Sequence, residues 1–86
     1  MYKLTFLSSA KKEFAKLDII TQKLIKNKLL ILAQNPDALK NNIKPLKGLY
    51  SGKYRLRVNN YRVIYSIVED ELIITIVRIG HRKEVY

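Results

Sequence analysis

Residues 54–68 read YRLRVNNYRVIYSIV, two β-branched and aromatic runs that meet at the pair Asn59-Asn60. Such runs around a two-residue break predict an antiparallel hairpin, with a type I′ turn at Asn59-Asn60. With those two residues as the loop, Val58 pairs with Tyr61, Arg57 with Arg62, Leu56 with Val63, Arg55 with Ile64 and Tyr54 with Tyr65. The period of two then sorts the side chains. One face carries Tyr54, Leu56, Val58, Tyr61, Val63, Tyr65 and Ile67, and the other carries Arg55, Arg57 and Arg62. ELIITIVRI, residues 71–79, reads as a further strand, and a turn at Glu69-Asp70 adds Leu72, Ile74 and Ile76 to the apolar face.

Upstream of the hairpin the pattern changes period. YKLTFL, residues 2–7, alternates and reads as a short strand. Ser8 and Ser9 offer N-cap hydroxyls to a helix whose narrow apolar stripe is Ala10, Phe14 and Leu17. Asp18 stands in a turn or caps the next helix, which runs from about Ile20 to Gln34 and buries Leu24, Ile25, Leu29 and Leu32. Asn35-Pro36 ends it, because the residue before proline is pushed out of the helical region. Residues 36–52, broken by Pro45, Gly48 and Gly52, read as a long connection with a helical turn near DALKNN. The order β-α-α-β-β-β predicts an α+β domain: a mostly antiparallel four-stranded sheet with a helical hairpin on one face.

Composition narrows the function classes. Eighty-six residues, 48% of them hydrophobic, fit one domain over 1–86. With no Cys and one His there is no disulfide framework and no zinc or calcium constellation, so no metal and no cofactor is expected. The N-terminal stretch lacks a signal-peptide core and no apolar run reaches spanning length, which predicts a soluble cytoplasmic protein with no membrane partner. Seventeen Lys plus Arg against seven Asp plus Glu give a net charge of +10. A field of that sign attracts polyanions, and it equally serves solubility.

The arginine face sharpens that reading. Like charges directly opposite on a sheet cost about 0.2–1 kcal/mol. Arg57 opposite Arg62, with Arg55 beside them, therefore breaks a local rule, and such breaks concentrate at functional sites. A cation-lined sheet face suits phosphate. A register slipped by one residue, or neutralisation by Glu84 or by an acidic partner, would relieve the same conflict without a site.

LKGLYSGKYRLRVNNYRVIYSI, residues 46–67, followed by IVRIGHRKEVY, residues 76–86, resembles the RelE/ParE superfamily of toxins. The resemblance covers essentially the whole chain, and the GHRKEVY ending is closer to the RelE branch than to the gyrase-poisoning ParE branch. It implies a ribosome-dependent endoribonuclease that cuts mRNA in the A site, needs no metal, and is neutralised by a RelB-like antitoxin in a hetero-oligomeric complex. The reaction it implies is attack of the 2′-hydroxyl on the adjacent phosphate, leaving a 2′,3′-cyclic phosphate and a 5′-hydroxyl. Carried over by position, Arg57, Arg62 and Arg82 face the phosphate, and Tyr86 stacks on a base. Arg55, Lys44, Lys47 and Lys53 bind RNA backbone. Relatives commonly carry lysines at the positions of Arg55 and Arg57; arginine does not deprotonate near neutrality, so neither is a general base. His81, the one imidazole of the chain, is the candidate acid or base, although a lone His after a strand is more often a structural hydrogen-bonder. Gly80 is expected to make a sharp turn that swings the tail back over the sheet. A gyrase-inhibiting toxin and a non-catalytic RNA- or partner-binding module of the same fold are the competing readings.

Overall fold

A computed structural model of the chain describes residues 1–85; Tyr86, a predicted site residue, lies outside the described residues. The elements are β1 (Lys3–Phe6), α1 (Ser8–Ala15), α2 (Ile19–Gln34), β2 (Ile43–Pro45), β3 (Tyr54–Val58), β4 (Tyr61–Val68), β5 (Ile73–His81) and α3 (Arg82–Val85). They form the expected α+β architecture, with one strand and one short terminal helix more than predicted. The sheet order is β1-β5-β4-β3-β2, in which β1 runs parallel to β5 and the other neighbours are antiparallel. The added strand is β2, inside the segment expected as a connection. Ile43 pairs with Leu56 and Lys44 with Arg55, and Pro45 is tolerated because an edge strand need not donate on its outer side. The helical turn near DALKNN is a 3₁₀ segment over Pro36–Asn42 that buries Leu39.

The helical hairpin covers one sheet face. Ala10 of α1 and Ile25, Leu29 and Leu32 of α2 pack on Leu56, Val58, Val63, Tyr65, Ile74, Ile76 and Ile79, with Phe14 and Leu17 at the margin. Tyr54 stacks on Tyr65 at 5.7 Å, and burial pushes the Tyr65 phenol up to about 12. Asp18 caps α2: its carboxylate accepts from the Thr21 N–H at 3.2 Å and from the Thr21 hydroxyl at 2.6 Å, which holds its pKa below the usual range. Ser8 and Ser9 do not cap α1. Leu7 occupies the N-cap in an extended conformation, because its N–H still bonds the Ile76 carbonyl of the sheet, so the helix begins at Ser8 without a side-chain cap.

The hairpin register holds at all five predicted pairs, from Val58–Tyr61 to Tyr54–Tyr65. Its turn differs from type I′, which needs two left-handed residues: among the described non-glycine residues only Asn59 and Leu72 have positive φ. Leu72 belongs to the turn after Val68, 47% exposed, rather than to the apolar face. Between β4 and β5 the pairing steps from Tyr65–Ile76 to Ile64–Arg78, leaving Val77 as the extra residue of a β-bulge. After the bulge Ile79 faces the helices, while Arg78 and Gly80 face outward beside the arginines.

The outer face is partly roofed. Ile64 is 0% exposed there, and α3 returns so that Val85, 3% exposed, lies against Gly80. Gly80 therefore makes no sharp turn. It sits within β5, the described glycines with positive φ are Gly48 and Gly52, and glycine is needed because a Cβ would stand 2.8 Å from Val85 Cγ2. Gly80→Ala is expected to lift Val85 and lower the melting temperature. The Gly80→Ala/Val85→Ala double variant should be more stable than the two single losses predict, by a coupling of about 0.5 kcal/mol or more. Strict additivity in thermal melts would contradict the contact.

Candidate phosphate-binding face

Strand pairing alone assembles the outer face. Lys44, Arg55, Ile64 and Arg78 form one row across β2, β3, β4 and β5, and Arg57, Arg62 and Gly80 form the next. Two like-charged pairs, Lys44–Arg55 and Arg57–Arg62, thus stand directly opposite one another. The side chains are held rather than loose. Arg57 Nη2 donates to Asn42 Oδ1 at 3.1 Å. Arg62 Nη1 donates to the carbonyls of Asn59 at 2.8 Å and Tyr61 at 2.9 Å, which fixes its stem over the hairpin turn. The Nε of Arg55 is buried without a hydrogen-bond partner, a donor that an incoming anion would satisfy.

Arg78 was absent from the sequence-predicted site. Its Nη2 meets Glu13 Oε2 at 3.1 Å, and the other oxygen of that carboxylate accepts the Ile79 N–H at 2.9 Å. Glu13 thereby satisfies the edge of β5 beyond the end of β1. The Arg78 guanidinium is held above its ordinary pKa first by the adjacent Tyr50 hydroxyl and then by Glu13, so it stays charged at any working pH. The signal in the sequence was a single arginine inside the apolar run TIVRI, where a core strand has no room for a guanidinium. Glu84, offered as a neutralising acid, is exposed, and the acid that reaches the patch is Glu13.

Of the other predicted residues, Lys44 joins the face through β2, while Lys47 and Lys53 flank the short turn Gly48–Tyr50 beyond the strand ends. Arg82 is exposed, and its N–H donates to the Asn60 carbonyl at 2.8 Å, which brings the start of α3 to the hairpin turn beside Arg62. His81 is not brought to this group. It pairs with Tyr61 on the helix side of the sheet, and the two rings meet edge to face at 5.6 Å.

A small basic domain with guanidinium groups gathered on one sheet face carries a field that attracts polyanions. Comparison with known proteins gives the class a family. The family model for the ParE toxin of type II toxin–antitoxin systems matches residues 4–86. A RelE-like toxin protein of Escherichia coli is 32% identical over 82 residues, covering 95% of this chain and 84% of that protein. The mRNA interferase toxin RelE of Escherichia coli K12 is 29% identical over 87 residues, covering 99% and 90%. A chain of the intact Escherichia coli RelBE toxin–antitoxin complex superposes with a TM-score of 0.75 at 26% identity, over 94% of this chain and 96% of that one. The chain belongs to the RelE/ParE superfamily of type II toxins and is RelE-like. Among the described residues no helix is long and apolar enough to cross a membrane.

Proposed function

We propose that this toxin is a cytoplasmic, ribosome-dependent endoribonuclease that cleaves mRNA in the A site, restrained by a RelB-like antitoxin in a hetero-oligomeric complex. The observation that carries the reading is Arg57 standing directly opposite Arg62 on the outer face, with Arg55 and Arg78 in the adjoining row. Attack of the 2′-hydroxyl on the neighbouring phosphorus gathers negative charge on a pentacoordinate centre, and the 5′-oxygen leaves as the 2′,3′-cyclic phosphate forms. Forked guanidinium donors stabilise that charge more than they stabilise the starting diester. Arg57, Arg62 and Arg82 take this role, Arg55, Lys44, Lys47 and Lys53 hold the flanking backbone, and Tyr86 stacks on a base for roughly 1–3 kcal/mol. Arginines act here on charge and not on protons. Alignment of the 2′-hydroxyl by the ribosome supplies much of the rest, since positioning alone removes about 7–11 kcal/mol of barrier in well-oriented systems. The named antitoxin complex among the structural neighbours supports the partner.

The test is translation of a defined message in a purified system with this protein, with 5′ ends mapped by primer extension. Codon-phased cuts that require ribosomes support the reading. Uncut message with inhibited supercoiling would instead favour a gyrase inhibitor, the second reading, which the ParE family match keeps in view. Arg78→Ala should weaken binding of a labelled oligoribonucleotide and flatten its log–log salt dependence by about 0.7, the share of one phosphate contact on a single strand. An unchanged slope in fluorescence anisotropy would remove Arg78 from the site.

A further inference from the structure

His81 ends β5 with its ring on the helix side, whereas Arg57 and Arg62 project from the other side. The sheet itself stands between the imidazole and any phosphate those guanidinium groups would hold. Its Nδ1 is moreover engaged, because the Lys83 N–H donates to it at 3.2 Å. Lys83 is the second residue of α3, so His81 occupies the N-cap position and Nδ1 accepts the bond that Ser, Thr, Asp or Asn more often accepts there. A ring nitrogen accepts only when it carries no proton, so this bond selects the neutral imidazole with its hydrogen on Nε2. Four residues cannot hold a helical turn unaided. The turn rests on three anchors: the Nδ1 cap, the Arg82 N–H on the Asn60 carbonyl at 2.8 Å, and Val85 seated on Gly80.

We propose that His81 is a positioning residue and not the general base: its neutral ring caps α3 and thereby sets Arg82 against the Arg57–Arg62 pair. The inference rests on the reading of the arginine face as the RNA site. Across the ring edge Tyr61 keeps the imidazole in the orientation the cap needs. Glu13 of α1, Lys16 just beyond its end and Glu84 of α3 line the cavity beside His81, and Arg82 and Lys83 follow it in the chain.

Two amide substitutions separate the roles, because Asn places its carbonyl oxygen near the position of Nδ1 and Gln places its own near Nε2. His81→Asn is expected to keep codon-phased cleavage within about threefold of wild type, while His81→Gln and His81→Ala lose roughly 3- to 30-fold, the worth of a cap. Equal, large losses in all three variants would make His81 a proton-transfer group and overturn the proposal. Amide exchange and imidazole ¹⁵N spectra of the uncut protein read the cap without any cleavage. Slow Lys83 exchange in wild type and His81→Asn, fast in His81→Gln and His81→Ala, supports it; unchanged Lys83 exchange in His81→Ala overturns it. A wild-type protein that cuts nothing on ribosomes sinks the nuclease reading instead, and the exchange data then decide the cap on their own.

Discussion

Arg62→Ala is expected to lower the proposed ribosome-dependent cleavage by about 10²- to 10³-fold, the loss typical of removing one preorganised charge-stabilising donor, while the fold survives. The second half of that expectation follows from the surroundings of the side chain. Arg62 gives Nη1 to two carbonyls of the hairpin turn, partly exposed bonds each worth about 0.5–1.5 kcal/mol net. Against that loss, removing a cation from directly opposite Arg57 returns roughly 0.2–1 kcal/mol. The return offsets part of the loss, so circular dichroism should show an unchanged spectrum and a protein still folded at the assay temperature. Arg62→Lys keeps the charge but loses the fork, and should recover binding of RNA more fully than it recovers cleavage. Primer extension with the three proteins at equal concentration decides the matter. Cleavage by Arg62→Ala within twofold of wild type would show that the paired arginines are not the catalytic charge.

That prediction depends on a register that the sequence made legible. Asn59-Asn60, flanked by two alternating runs, leaves one pairing that buries Leu56, Val58, Val63 and Tyr65 together, and the arginines are carried to the other face as a consequence. Asn35-Pro36 ended α2 for an equally local reason. What was hidden depends on residues far apart. Strict alternation from Ile74 and Ile76 sends Arg78 into the core and His81 to the arginine face. The extra residue at Val77 exchanges the two, placing Arg78 outside against Glu13 and His81 inside against Tyr61. The lone arginine in TIVRI hints that the alternation breaks, but no window along β5 shows where Arg78 goes, since Glu13 lies sixty-five positions earlier. Bulges beside functional sites re-aim a side chain, and this one both completes the basic face and withdraws the sole imidazole from it. The return of the tail was expected, but its helical form and its cause were not, because the signal lies in Val85 occupying the space over Gly80 and not in any backbone conformation of the glycine itself.

Ile76→Ala is expected to cost about 2–5 kcal/mol of folding stability. Ile76 is 0% exposed and stands where the parallel and antiparallel halves of the sheet meet: it pairs with Phe6 of β1 on one side and with Tyr65 of β4 on the other. Its carbonyl also accepts the Leu7 N–H that carries the chain from β1 into α1. Neighbours tied on both sides cannot collapse into the space three missing carbons leave, so the loss should fall in the upper part of the range. Small domains have a total stability of about 5–15 kcal/mol, and each kcal/mol moves the melting point by roughly 4–8 °C at this length. The variant should therefore melt about 15–40 °C lower, with an unchanged urea m-value if the transition stays two-state. Leu30→Ala, at a residue 48% exposed on α2, should stay within about 0.5 kcal/mol and serves as the control. Because the bulge begins at the very next residue, Ile76→Ala also loosens the segment that presents Arg78. Its cleavage at 37 °C should fall further than its unfolded fraction predicts, and a loss matching that fraction would show that the bulge is held by Glu13 and not by the core beneath it.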